Sequence, residues 1–171
     1  DIKSSNILLD RSLRHARLAD FGLAKDQVKG SRTHGTTGIV VGSPGYMAPE
    51  LMMRPANEKT DSFALGVVLL EILTRLQPWD QEGMALTDRA VSSGHFEENL
   101  LDADAQWPLS EGSFLGKQAV TLTFFDPSSR QTVAALEQGN DFKAHLQRAD
   151  QLSSSQDGSL PLQAEVVGAA S

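Results

Sequence analysis

Asp1-Ile2-Lys3-Ser4-Ser5-Asn6-Ile7-Leu8-Leu9-Asp10, running on to Asp20-Phe21-Gly22, is the stretch on which the reading of this chain turns. It offers a carboxylate at position 1, an ammonium at position 3, an amide at position 6 and a second carboxylate at position 20. Ile7-Leu8-Leu9 and Ala16-Arg17-Leu18-Ala19 are short, largely apolar runs separated by the polar, turn-prone residues 10–15. That is the pattern of two antiparallel strands joined by a loop. Asn6 sits just before the first strand and Asp20 just after the second. Paired strands lie about 4.8 Å apart, so the hairpin brings both residues to the same end of the ladder. Two oxygen donors facing one pocket suit a hard divalent cation such as Mg²⁺, which takes few protein ligands and completes its shell with water and phosphate oxygens. Asp1 and Lys3 lie in the loop leading in. There a carboxylate can accept a hydroxyl proton, and a fixed ammonium can meet the negative charge of a phosphoryl group.

Asp1-Ile2-Lys3-Ser4-Ser5-Asn6, Asp20-Phe21-Gly22 and Ala48-Pro49-Glu50, in that order and spacing, resemble the catalytic loop, the metal-binding loop and the end of the activation segment of protein kinases. One tripeptide would be weak; three in order, followed by Asp61-Ser62-Phe63-Ala64-Leu65-Gly66, are specific. The resemblance covers residues 1–137. Asp1 to Asp10, Leu18 to Lys25 and Gly66 to Thr74 are worded most like the plant receptor-like and receptor-like cytoplasmic kinases, a Ser/Thr-specific group of the Pelle-like class. Lys3 agrees with Ser/Thr specificity, because tyrosine kinases of the family usually carry Ala or Arg around that place. The resemblance implies a protein-kinase-like α+β fold, here a mainly α-helical C-terminal lobe with a small β-hairpin. It also implies ATP and Mg²⁺ as cofactors, a protein substrate and an upstream kinase as partners, and a cytoplasmic location, free or as the inner part of a membrane receptor.

Length and composition set bounds on this reading. The chain has 171 residues, of which 40% are hydrophobic, enough for one modest core. A complete domain of the family is bilobal, and the N-terminal lobe is absent here: no Gly-rich phosphate loop, strand lysine or partner glutamate occurs. The His-Arg expected before Asp1 is missing and residue 1 is not Met, so the chain reads as a partial or truncated product. A net charge of −7 argues against nucleic acid as a partner. With no cysteine there is no disulfide and no thiolate metal site. The longest apolar run, Phe63 to Leu70, is too short to span a bilayer.

Residues 23–47 read as a long loop, the activation segment. Among its hydroxyls Ser31, Thr33, Thr36, Thr37 and Ser43, the best candidates for phosphorylation are Thr36 and Thr37, where added charge could order the loop by pairing with arginine. Ser43 stands where the family usually has Thr; its expected role is a hydrogen bond to Asp1 and Lys3, which phosphate would obstruct. Ser43, Pro44, Gly45 and Tyr46 resemble the substrate-docking loop. By resemblance Glu50 pairs with Arg130, although Gln131 replaces the usual proline after that arginine, and removing one member of such a buried pair typically costs about 3–5 kcal/mol.

The strongest predicted helix runs from Thr60, its expected cap, to Thr74. Asp61 suits its positive end, and the family gives it a further role, holding the backbone of the catalytic loop. Shorter helices are expected over Met84 to Ser93, Ser113 to Phe125 and Gln131 to Glu137. Phe96 to Asp102 with Trp107-Pro108 resembles plant cytoplasmic kinases, including those attached to U-box domains. Trp79 and Trp107 read as core anchors. From 138 to 171 the composition reads as a disordered tail with at most a weak helix over Phe142 to Leu152. His15, His34, His95 and His145 are too scattered to build a metal site.

Two functions are compatible with these residues. In the first, the chain is part of an active Ser/Thr kinase, with Asp1 taking the proton of the acceptor hydroxyl, Lys3 steadying the phosphoryl group, and Asn6 and Asp20 holding Mg²⁺. In the second, the lobe alone is a catalytically inactive interaction module or a truncated gene product.

Overall fold

The computed structural model describes residues 1–12, 15–22, 42–92 and 95–156. Thr36 and Thr37, with most of the expected activation segment, and the last residues 157–171 lie outside that set.

A single 3₁₀ turn over Ser4–Asn6 feeds β1 (Ile7–Leu9), which pairs antiparallel with β2 (Ala16–Leu18) in the register Ile7 to Leu18, Leu8 to Arg17 and Leu9 to Ala16. The Ala19 amide donates to the Asn6 carbonyl at 2.8 Å, which extends the ladder by one bond and brings Asn6 and Asp20 to the same end. Leu8, Leu9, Leu18 and Phe21 remain largely exposed.

A 3₁₀ turn over Pro49–Met52 leads to α1 (Glu58–Thr74), the central helix. Its start differs from the sequence expectation. Asn57 is the cap, its side chain accepting from the Lys59 and Thr60 amides, while the Thr60 hydroxyl accepts from the Asn57 amide in return. Two reciprocal bonds satisfy amides that a Thr60 cap would leave unpaired. Phe63, Ala64, Val67, Val68, Leu70 and Leu73 are all buried, so the helix has no solvent stripe of ordinary width.

The segment expected as one helix over Met84 to Ser93 divides. α2 (Leu86–Ala90) is only five residues long, and β3 (Val91–Ser92) then pairs with β4 (His95–Phe96). Burial of Leu86, Ala90 and Phe96 in one cluster with Leu70, Leu73, Ala119 and Val120 favours this turn back toward the core over a longer helix. α3 (Leu109–Leu122) starts four residues earlier than the sequence suggests and packs along α1. Gly66 permits the close approach: a Cβ there would stand 2.6 Å from Thr123 Cγ2 and 2.9 Å from Leu122 Cβ. α4 (Val133–Gln138) is capped by Thr132, and α5 (Asn140–Gln156) forms a longer helix than the weak one suggested within the tail.

Of the two tryptophans, Trp107 packs against the main cluster, but Trp79 is 46% exposed and is not a core anchor. It lies beside Gly45 (φ 88°), where an added Cβ would be 2.5 Å from Pro78 Cβ and 2.8 Å from Trp79 Cδ1. The left-handed backbone and the lack of room both call for glycine at that position.

Candidate active site

The site is assembled where the loop before β1 meets the segment before Pro49. Asp1 and Lys3 face each other at 2.5 Å between Oδ2 and Nζ. Ser43, distant in sequence, closes a triangle with them: its hydroxyl donates to Asp1 Oδ1 at 2.8 Å and accepts from Lys3 Nζ at 2.9 Å. Both carboxylate oxygens of Asp1 are therefore oriented, and its side chain is only 10% exposed. Partial exclusion of water strengthens such charged hydrogen bonds relative to the same contacts at the surface.

Asn6 is buried, and its Nδ2 donates to the Asp1 carbonyl at 2.8 Å. That bond fixes the amide so that Oδ1 is the atom left to meet a cation. Asp20 is exposed and adopts a left-handed backbone (φ 60°), with its Oδ1 accepting from the Gly22 amide at 3.3 Å. One amide oxygen and one exposed carboxylate at the end of a hairpin fit a hard divalent cation that keeps most of its shell for water and phosphate. Among the described residues no cluster of three His, Cys, Asp or Glu offers a denser metal site.

Farther along, Pro44, Gly45 and Tyr46 form a turn in which the Tyr46 amide donates to the Ser43 carbonyl at 3.1 Å. The Tyr46 hydroxyl donates to Glu71 Oε2 at 2.8 Å and lies 3.0 Å from the Ser4 hydroxyl. Burial pushes the Tyr46 phenol above its usual value; the Ser4 hydrogen bond opposes the shift and the Glu71 carboxylate adds to it. Burial also raises the Glu71 carboxyl, against the hydrogen bonds from Tyr46 and Ser4. Sequence reading passed over both Ser4 and Glu71. A signal was present, since Glu71 is the one charged residue between Asp61 and Arg75 in an otherwise apolar helix.

Behind the site, Arg130 is fully buried and all five of its N–H donors are used. Nη1 and Nη2 bind Glu50 in bidentate fashion at 2.5 and 3.0 Å. The remaining donors reach the carbonyls of Phe124 (2.9 Å), Lys59 (2.9 Å) and Phe125 (3.3 Å). The guanidinium also lies 4.9 Å from the Phe63 ring centre. Burial, the largest single influence, would raise the Glu50 carboxyl, yet the Arg130 hydrogen bond, a backbone hydrogen bond and the charges of Arg130 and Arg54 together hold the group below its usual value. Asp61, in the first turn of α1, has its carboxyl raised by partial burial.

The arrangement sets together an oriented carboxylate, an adjoining ammonium, a pair of oxygen donors suited to a hard cation, and the turn through Pro44 and Gly45. Residues 1–139 match the protein kinase domain family. Over 152 residues, 85% of this chain and 17% of the relative, it is 48% identical to a probable LRR receptor-like serine/threonine-protein kinase of Arabidopsis thaliana. It is 50% identical to receptor-like protein kinase 5 of the same plant over 84 residues, 48% of this chain and 8% of that protein. LysM domain receptor-like kinase 10 of Oryza sativa subsp. japonica is 34% identical over 150 residues, 80% of this chain and 25% of that protein. The chain thus spans a quarter or less of the length of these relatives. Among the described residues no helix is long and apolar enough to cross a membrane. Motif order, site geometry and sequence match agree, and the chain belongs to the protein kinase family.

Proposed function

We propose that these residues are the helical lobe of a Ser/Thr protein kinase of the plant receptor-like kind, working on the cytoplasmic side of a membrane or free in the cytoplasm. The observation that carries this reading is the triangle of Asp1, Lys3 and Ser43. It joins the loop that would take a proton to the segment that would seat a peptide. Asp1 accepts the proton of the acceptor hydroxyl as that oxygen bonds to the γ-phosphorus of ATP and the bond from that phosphorus to the leaving ADP breaks. Lys3 meets the charge that gathers on the phosphoryl oxygens, and Asn6 with Asp20 would hold the cation. Asn6 and Asp20 would thereby place there a cation whose positive charge offsets the negative charge of the ATP phosphates. Glu50, Arg130 and Asp61 act by holding the scaffold, and the docking turn from Ser43 to Tyr46 seats the substrate. Thr36 and Thr37 remain the candidates for control by an upstream kinase. The proposed division is a lobe over 1–137 with the following residues outside it.

Catalysis of this kind is almost wholly positioning and electrostatics, so the lobe without a phosphate-gripping partner should be inert. The test is paired. Fused to the rest of its kinase domain, the chain should phosphorylate a Ser/Thr substrate with ATP and Mg²⁺, and Asp1→Asn or Asp20→Ala should lower the rate about a hundred- to thousandfold, an order typical of lost positioned groups. Residues 1–171 alone should show no turnover. Activity of 1–171 alone that Asp20→Ala abolishes would refute the inert-lobe claim, and an inactive fusion would refute the kinase assignment. The second reading, a lobe that only binds partners, is favoured by the exposed Leu8, Leu9 and Phe21, at 58%, 58% and 64%.

A further inference from the structure

A single residue joins α4 to α5. Gly139 follows Gln138, the last residue of α4, and precedes Asn140, the first of α5. Its φ of −63° is already that of an α-helix, and only its ψ of 130° departs from one. Turning that one bond by about 170° would run residues 133–156 together as one helix about 36 Å long. The bend leaves backbone groups unmatched. The first bond within α5 runs from the Lys143 amide to the Gly139 carbonyl at 3.1 Å, so the amides of Asn140, Asp141 and Phe142 have no acceptor in their own helix. In a straight helix they would meet the carbonyls of Leu136, Glu137 and Gln138.

The seat of α5 on α3 offsets that loss. The Phe114 ring stacks with His145 at 3.7 Å between centres and with Phe142 at 6.4 Å. Glu111, one turn earlier on α3, has its carboxyl held below the usual value first by the Ser110 hydroxyl and also by the charges of His145 and Arg148. The seat is narrow, since Leu146, one turn after Phe142, is 48% exposed. A hollow of about 360 Å³ lined by Gln118, Gln131, Leu136 and Gly139 itself gives the hinge room to turn. Straightening would carry Phe142 and His145 away from their own Phe114 and leave both faces bare. A second copy of the chain carries the matching face, and each copy then supplies what the other lacks. We propose that Gly139 is a one-bond hinge through which α5 is exchanged between two copies of this chain, each α5 resting on Phe114 of the other. The exchange reuses contacts already made within one copy, and it does not depend on the kinase reading.

The test is sedimentation of the full chain beside two hinge variants. Gly139→Ala favours the straight form, because alanine is the better helix former and in the bent form its Cβ would press on the Leu136 carbonyl oxygen at 3.1 Å. Gly139→Pro holds the bend: proline keeps φ near its present value and its ring excludes a continuous helix, at the loss of the amide bond to the Leu136 carbonyl. The wild-type chain should form a dimer whose share rises with concentration. Gly139→Ala should raise the association constant about twentyfold, the product of a four- to fivefold preference at each of two hinges, and Gly139→Pro should stay monomeric. In a mixture of isotope-labelled and unlabelled Gly139→Ala, nuclear Overhauser contacts should connect the Phe114 ring of one copy to Phe142 of the other. Amide exchange within α1, remote from the hinge, checks that each variant is folded. Wild-type and Gly139→Ala chains that both remain monomeric at millimolar concentration would overturn the exchange. So would a dimer equally strong in the alanine and proline variants, which would place the interface elsewhere, or a Gly139→Ala dimer without the Phe114 to Phe142 contact.

Discussion

Glu50 and Glu71 are acids whose surroundings shift them in opposite directions, and the two should leave opposite marks on stability. The Glu50 carboxyl is held below its ordinary 4.5, so the stability it contributes is complete above that pH and is lost as pH falls through the lowered value. Glu71 is raised above the same reference by burial; its contribution is complete below pH 4.5 and is lost as pH rises through the raised value. Glu50→Gln should therefore destabilise by about 3–5 kcal/mol near neutrality, because Arg130 keeps a buried charge without its partner, and should flatten the loss of stability in acid. Glu71→Gln should leave neutral-pH stability equal or slightly higher. Urea unfolding between pH 3 and 8 separates the two. The contrast also marks how far sequence reading reaches. Glu50 and Arg130 could be paired because each sits in a recognisable motif, and the contacts of Ser43 with Asp1 and Lys3 could be foreseen for the same reason. Glu71 sits in no such motif. Its partners come from two other segments, and only the folded chain brings a helix carboxylate to a loop phenol.

Among the elements, those defined by local chemistry were the most legible. The hairpin of β1 and β2 and the central helix follow from apolar runs and turn residues, with an error of only two residues at the start of α1, where Asn57 supplies a better cap than Thr60. The division of residues 84–96 into α2, β3 and β4 was not legible, because a five-residue helix and two-residue strands carry too little periodicity and are held by contacts with α1 and α3. Gly66 is a case where tertiary structure overrides propensity. Replacing a mid-helix glycine with alanine ordinarily gains about 1 kcal/mol. Here the new methyl would press on Leu122 Cβ at 2.9 Å, an atom fixed to a buried backbone, and overpacking of that kind costs about 1–3 kcal/mol. Gly66→Ala should thus destabilise by up to about 2 kcal/mol, read as a lower urea midpoint with an unchanged slope. A gain in stability would mean that α1 and α3 are free to move apart.

On the scale of the whole molecule, α5 is the part least expected from composition, since its serine-rich end follows a mostly polar start in which Phe142, Ala144 and Leu146 are the apolar residues. Its first turns rest on α3 through Phe114, whose ring stacks with His145 at 3.7 Å between centres and with Phe142 at 6.4 Å. The helix begins just past the last residue that matches the kinase family. Phe114→Leu keeps the helix α3 and removes the flat surface, so amide exchange across residues 140–150 should rise about tenfold or more while exchange within α1 holds. Equal increases in both would show that α5 is not a separately stable unit. The buried guanidinium of Arg130 has a consequence of a different kind, in the order of assembly. Its partners are drawn from residues 50, 59, 124 and 125, and its bond to Glu50 spans 80 positions of chain. A contact that closes so long a loop gains little until the segments between have found their places, so it forms late on the folding route. Interactions made after the rate-limiting step do not hasten folding; they slow escape from the native state. Arg130 thereby governs how long the lobe stays folded rather than how fast it gets there.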